Sequence, residues 1–140
     1  MGLDTTHEAF HGAYSAFNTF RRFLLKSIGG SFPPHDNKEL KDGYWYWNKD
    51  DDDESKFSSE THKGLLEFFA HSDCDGEISP EMCKIVADEL EEILPYVIKL
   101  AETEECFGHL LRNGGYVQCT KDFIEGCRLA HSLNEPLEFQ

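Results

Sequence analysis

His71-Ser72-Asp73-Cys74-Asp75-Gly76-Glu77-Ile78-Ser79-Pro80-Glu81 joins two apolar, helix-patterned segments through a run of alternating acids. Gly76 supplies a sharp turn among Asp73, Asp75 and Glu77. Ser79-Pro80-Glu81 then has the makeup of a helix start: a serine hydroxyl caps free amides, and proline at the first helical position lacks an N–H that would have no partner there. Upstream, Ser58-Ser59-Glu60 opens a segment that carries Leu65, Leu66, Phe68 and Phe69 inward and ends at His71. Downstream, Met82, Ile85, Val86, Leu90 and Ile93 recur at three and four, while Asp88, Glu89, Glu91 and Glu92 take the opposite face. The spacing predicts helix, loop, helix.

The loop resembles that of an EF-hand, in which oxygens at alternate loop positions surround a cation and a glycine sits at position 6. With Gly76 there, Asp73, Asp75, Glu77, Ile78 and Ser79 take positions 3, 5, 7, 8 and 9, but position 1 is His71 and position 12 is Met82. Losing a carboxylate at each end leaves a weak Ca²⁺ site or none. One reading is a vestigial loop kept as a joint between helices. The other is an imidazole beside carboxylates, which suits one Zn²⁺, Mn²⁺ or Fe²⁺ ion better than Ca²⁺ if further ligands arrive.

Gly115-x-Val117 echoes Gly76-x-Ile78, and Phe123-Ile124-Glu125-Gly126 looks like an outgoing EF-hand helix. Leu110, Arg112 and Gly114 fall at ligand positions of this second loop, so it should be metal-free. The resemblance implies a mainly α, single helical domain over 1–140. Residues 1–57 would supply a long N-terminal helix and an aromatic and acidic loop. Residues 58–133 would hold a degenerate EF-hand-like pair, the resemblance itself spanning 58–130, joined by a β-bridge at Ile78 and Val117.

Thr5-Thr6-His7-Glu8 has the form of a capping box, and Phe10, Ala13, Phe17, Phe20, Leu24 and Ile28 continue a helical stripe toward Gly29-Gly30. On such a helix His7 and His11 share one side, with Tyr14 beside them and Asp4 just before the cap. His7, His11, His71, Asp73, Asp75 and Glu77 are therefore the candidate metal ligands, provided the two segments meet. The alternative is rim histidines bonded to their neighbours. Tyr44-Trp45-Tyr46-Trp47 reads as a short extended segment with one face packed inward, or as an aromatic wall in which Trp45 and Trp47, with Tyr14, hold a planar or polar ligand. Asp50 to Glu54 is a solvated acidic run. Further helices are expected from Tyr96 to Arg112 and from a Thr120 cap, before a short tail containing Pro136.

The net charge of −14, from 27 acidic and 13 basic residues, repels phosphate backbones and argues against direct nucleic-acid binding. It favours cations, or a host protein with a basic surface. Five cysteines without a CxxC pair, no leader and no membrane-length apolar run lead us to expect a soluble cytoplasmic protein with reduced thiols, and no membrane partner. The stretches around Gly2–His7, His11–Phe17 and His71–Glu77 also resemble small uncharacterised bacteriophage and prophage proteins. That likeness implies the host cytoplasm and a role such as antagonism of host defence.

Three functions fit: a non-enzymatic binding protein for a cation or small polar ligand, a metal-dependent hydrolase built on the His/Asp cluster, and an acidic decoy or partner-binding protein. With no nucleophile elbow or P-loop, binding is preferred and no catalytic residue is assigned.

Overall fold

The computed structural model describes residues 2–28, 61–71, 75–106 and 108–140. Trp45, Trp47, Asp73 and the acidic run at 50–54 lie outside the described residues. Strand β1 (Gly2–Asp4), a 3₁₀ turn (Thr6–Glu8) and strand β2 (His11–Ala13) precede helix α1 (Tyr14–Ser27). Then come α2 (Lys63–Ala70), β3 (Glu77–Ile78), α3 (Pro80–Ala101), α4 (Gly108–Arg112), α5 (Tyr116–Ser132) and β4 (Leu137–Glu138). The chain is mainly helical, and among the described residues no helix is long and apolar enough to cross a membrane.

The N-terminal helix begins at Tyr14, eight residues later than the start at Thr6 that its capping-box sequence predicts. Thr5 caps no helix, because its Oγ1 donates to the Phe10 carbonyl at 3.1 Å and accepts from the Phe10 amide at 2.7 Å, closing a loop. His7 and Glu8, at φ 61° and 57°, are left-handed and cannot continue a right-handed turn. The chain doubles back instead, pairing Gly2 with Ala13, Leu3 with Gly12 and Asp4 with His11. Leu3 and Phe10 are buried by this hairpin, and Phe17, Phe20, Leu24 and Ile28 by the helix that follows.

The serine cap predicted for α3 is present, with Ser79 Oγ accepting from the Met82 amide at 3.2 Å. The helix runs on through Pro95, where a break is expected from sequence. Pro95 itself is exposed, while Ile93 and Val97 on either side of it are buried and hold both halves of the helix on one core. The last helix starts at Tyr116 after a corner with Gly114 and Gly115 at φ +99° and +95°, so Thr120 lies inside it, donating to the Tyr116 carbonyl at 2.8 Å.

That corner also overturns the expected β-bridge. Val117 is the second residue of α5, so its backbone belongs to the helix, and Ile78 pairs with Leu137 instead, beside Glu77 with Glu138. The expected tail is structural: Leu137 and Phe139 are buried, and Phe139 bridges to Thr5. Asp4 and Gln140 exchange backbone hydrogen bonds of 3.2 and 3.0 Å, so the N-terminal hairpin and the loop before α3 meet through β4 and the residues after it. Underneath, α3 packs along α5, and α2 crosses α3 at Gly64, where a Cβ would come within 2.8 Å of the Ile85 backbone. Phe17, Phe20, Phe68 and Phe123 fill the centre, with edge-on ring contacts such as Phe68 to Phe123 at 4.9 Å.

Candidate functional site

In the loop between α2 and α3, Gly76 adopts φ +93°, as the turn requires, and the His71 ring lies over it. A Cβ on residue 76 would come within 3.3 Å of that ring. A carbonyl only accepts, so His71 Nε2 donates its proton to the Glu77 carbonyl, 3.1 Å away. In the EF-hand alignment this carbonyl belongs to position 7, where it would coordinate the cation. Here a side chain from position 1 takes it up. The same ring stacks on Phe139, centroids 3.9 Å apart. Asp75 and Glu77 are exposed.

With the Glu77 carbonyl already bonded, millimolar Ca²⁺ is expected to move the thermal midpoint by no more than about 2 °C, since ligand stabilisation grows only as RT ln(1 + [L]/Kd). A rise of many degrees at micromolar Ca²⁺, read by differential scanning fluorimetry, contradicts this.

The two N-terminal histidines do not share a helix side, because one lies in the 3₁₀ turn and the other in β2. His7 is half-buried, with Nδ1 2.8 Å from Thr6 Oγ1 and Nε2 facing Glu135 at 3.7 Å. His11 is exposed and lies 3.6 Å from Asp4. Tyr14, the first residue of α1, is half-buried and packs on the edge of the core. Among the described residues no three His, Cys, Asp or Glu side chains gather so as to hold a metal ion.

What the hairpin does build is a cleft of about 200 Å³ lined by Glu8, Phe10, His11, Asn113, Cys119 and Asp122, with Ala9 between the first two. The left-handed pair His7-Glu8 carries the chain onto α5, and Gly126 lets Ala9 seat there. A Cβ on residue 126 would stand 2.5 Å from that of Ala9. Asn113 Nδ2 donates to the His11 carbonyl at 2.7 Å, tying β2 to the corner between α4 and α5. Asp122 accepts from Gln118 Nε2 at 2.8 Å. Among the described residues, neither Glu8 nor Asp122 has a basic partner.

Burial, reinforced by Asp122, pushes the Cys119 thiol up to about 12, so it is a neutral wall group and not a nucleophile. Beside α1 a second, mostly apolar cleft of about 370 Å³ is lined by Ala13, Ser15, Ala16, Thr19, Leu110 and Tyr116. Sequence reading singled out His11 but missed Glu8, Asn113 and Asp122. They converge only because the hairpin folds back, and the one local hint is Gly126, a glycine inside a helix.

Compared with known proteins, the chain matches no family model, no curated protein and no solved structure.

Proposed function

We propose that the protein is a non-enzymatic binding protein that holds a small organic cation, an ammonium or guanidinium head group, in the cleft beside the N-terminal hairpin. The observation that carries this reading is that Glu8 and Asp122 both line one cleft and neither has a basic partner among the described residues. A cation entering there gains from two carboxylates, while Asn113 and His11 offer polar contacts at the rim. At about 200 Å³ the space suits a head group and not a whole drug-sized molecule. Sequestering such a ligand is the form that antagonism of host defence would take in a protein of phage type.

The test is calorimetry with agmatine and putrescine, and with the neutral butane-1,4-diol as control. Both amines are expected to bind and the diol not to. Glu8→Gln and Asp122→Asn should each weaken binding about five- to tenfold, the worth of a partly exposed charge pair. Amine binding that is unchanged in the double variant, or no binding of either amine, refutes the site.

A second reading, an acidic surface that docks a basic protein, is favoured by Glu77 and Glu138. They are directly opposed on the outer face of the β3–β4 pair, where like charges normally destabilise a sheet. Retention of the protein by a basic partner, lost at high salt and in Glu77→Gln/Glu138→Gln but kept in the Glu8/Asp122 double variant, would favour it over the cleft.

A further inference from the structure

We propose that the mostly apolar cleft between α1 and the α4–α5 corner is a second binding site, for a small neutral molecule that carries a hydrogen-bond acceptor on a hydrocarbon body, of the size of a substituted benzene ring. It is separate from the cation cleft, because β2 and the corner divide the two: His11 and Asn113 line one, Ala13 and Tyr116 the other. The space exists because small residues meet there. Ser15 and Thr19, four apart, share one side of α1 with Ala16 beside them. On the α4 wall a Cβ added to Gly108 would meet nothing within 4 Å.

Tyr116 is the residue that calls for a ligand. It is 8% exposed, and its ring stacks on Phe23, one turn beyond Thr19 on α1, with centroids 3.7 Å apart and planes 3° from parallel. The stack fixes the ring in the cleft wall. Among the described residues its hydroxyl has no hydrogen-bond partner, whereas a tyrosine so buried normally finds one. Burial, with Cys106 and Glu104 nearby, raises its pKa above the ordinary tyrosine value, so the hydroxyl keeps its proton and donates. The exposed hydroxyls of Ser15 and Thr19, likewise without a partner among the described residues, add polar contacts at the rim. Among the described residues that line the cleft none is charged at neutral pH, so nothing offsets the cost of desolvating an ion. Water against the alanine and leucine walls lacks partners too, and an apolar group that displaces it gains affinity. What these walls select is an apolar body with one acceptor for Tyr116, and about 370 Å³ lies within the range of small-molecule sites.

The experiment titrates the full ¹⁵N-labelled chain with benzamide and, in parallel, with toluene, benzoate and benzylammonium, and reads backbone amide shifts. Benzamide is expected to move the amides of Ala16, Gly108 and Tyr116 with a Kd of about 1 mM, which so small a ligand can reach, and to leave those of Glu8 and Asp122 in place. At these positions the two ions should bind at least about tenfold more weakly. Tyr116→Phe keeps the stacked ring and removes the hydroxyl, so benzamide should weaken about fivefold while toluene is unaffected. Ala16→Leu fills the cleft and should abolish the binding of both. Benzamide that moves no amide at 13–19 or 108–116, that binds Tyr116→Phe as tightly as the parent, or that either ion matches at these positions overturns the proposal. Glu8 and Asp122 report on the cation cleft separately, so either site can fail without the other.

Discussion

Arg21→Met is expected to lower the unfolding free energy by on the order of 3 kcal/mol in urea titrations, although the substitution is apolar and close in volume. Arg21 is 1% exposed. Its Nη1 donates to the carbonyls of Phe68 and Phe69 at 3.2 and 3.1 Å and to that of His71, while Nη2 donates to Asn18 Oδ1. These carbonyls end α2, where a helix leaves its last acceptors without intrahelical partners and carries partial negative charge. The guanidinium supplies both the donors and the opposite charge, and its Cζ lies 4.6 Å from the centre of the Phe17 ring. Methionine keeps the contact with the ring but brings no donor, so buried carbonyls lose their partner. Because His71 starts the acidic loop, amide exchange should also quicken at 75–78 in the variant. A stability change under about 0.5 kcal/mol, the size of an ordinary surface substitution, would show that Arg21 does not hold this helix end.

Phe139→Ala should be comparably severe, at about 3–5 kcal/mol. The ring is 4% exposed, stacks on His71 at 3.9 Å, and meets Phe17 and Phe123 at 5.7 and 6.5 Å. Its backbone bridges Thr5 and donates to the Gly76 carbonyl at 2.9 Å. Its removal therefore opens a cavity and loosens the seam where the N-terminal hairpin meets the acidic loop. Amide exchange should rise at Asp4 and Ile78, while the centre of α3 follows only the global loss. The neighbouring Glu138→Gln is the control: it relieves the charge facing Glu77 and should leave stability unchanged or slightly raised. If Phe139→Ala behaves like Glu138→Gln, the segment after Pro136 is a passive tail after all.

What sequence alone determined is local. The Ser79 cap with Pro80 behind it, the turn at Gly76, and the apolar faces that place Phe17, Phe20, Leu24, Val86, Leu90 and Ile93 in the core all depend on residues within a few positions of one another. From these the mainly helical class follows. What failed were local signals outbid by distant partners. Thr5 has the sequence of a helix cap, yet its hydroxyl bonds Phe10, because the hairpin buries Leu3 and Phe10 and gains backbone pairing from Phe139 and Gln140. Ile78 has the register of an EF-hand bridge, yet it pairs with Leu137, since the Gly114-Gly115 corner commits Val117 to a helix. Arg21 is buried in α1 with the last carbonyls of α2 laid against it, a partner that lies 47 and more residues away along the chain. Glu8, Asn113 and Asp122 become one cleft only when the hairpin seats Ala9 on Gly126. Caps and periodicity are energies of neighbouring residues and can be read along the chain. Strand partners, buried donors and a cleft drawn from three segments depend on which surfaces exclude water from one another, and only the tertiary structure sets that.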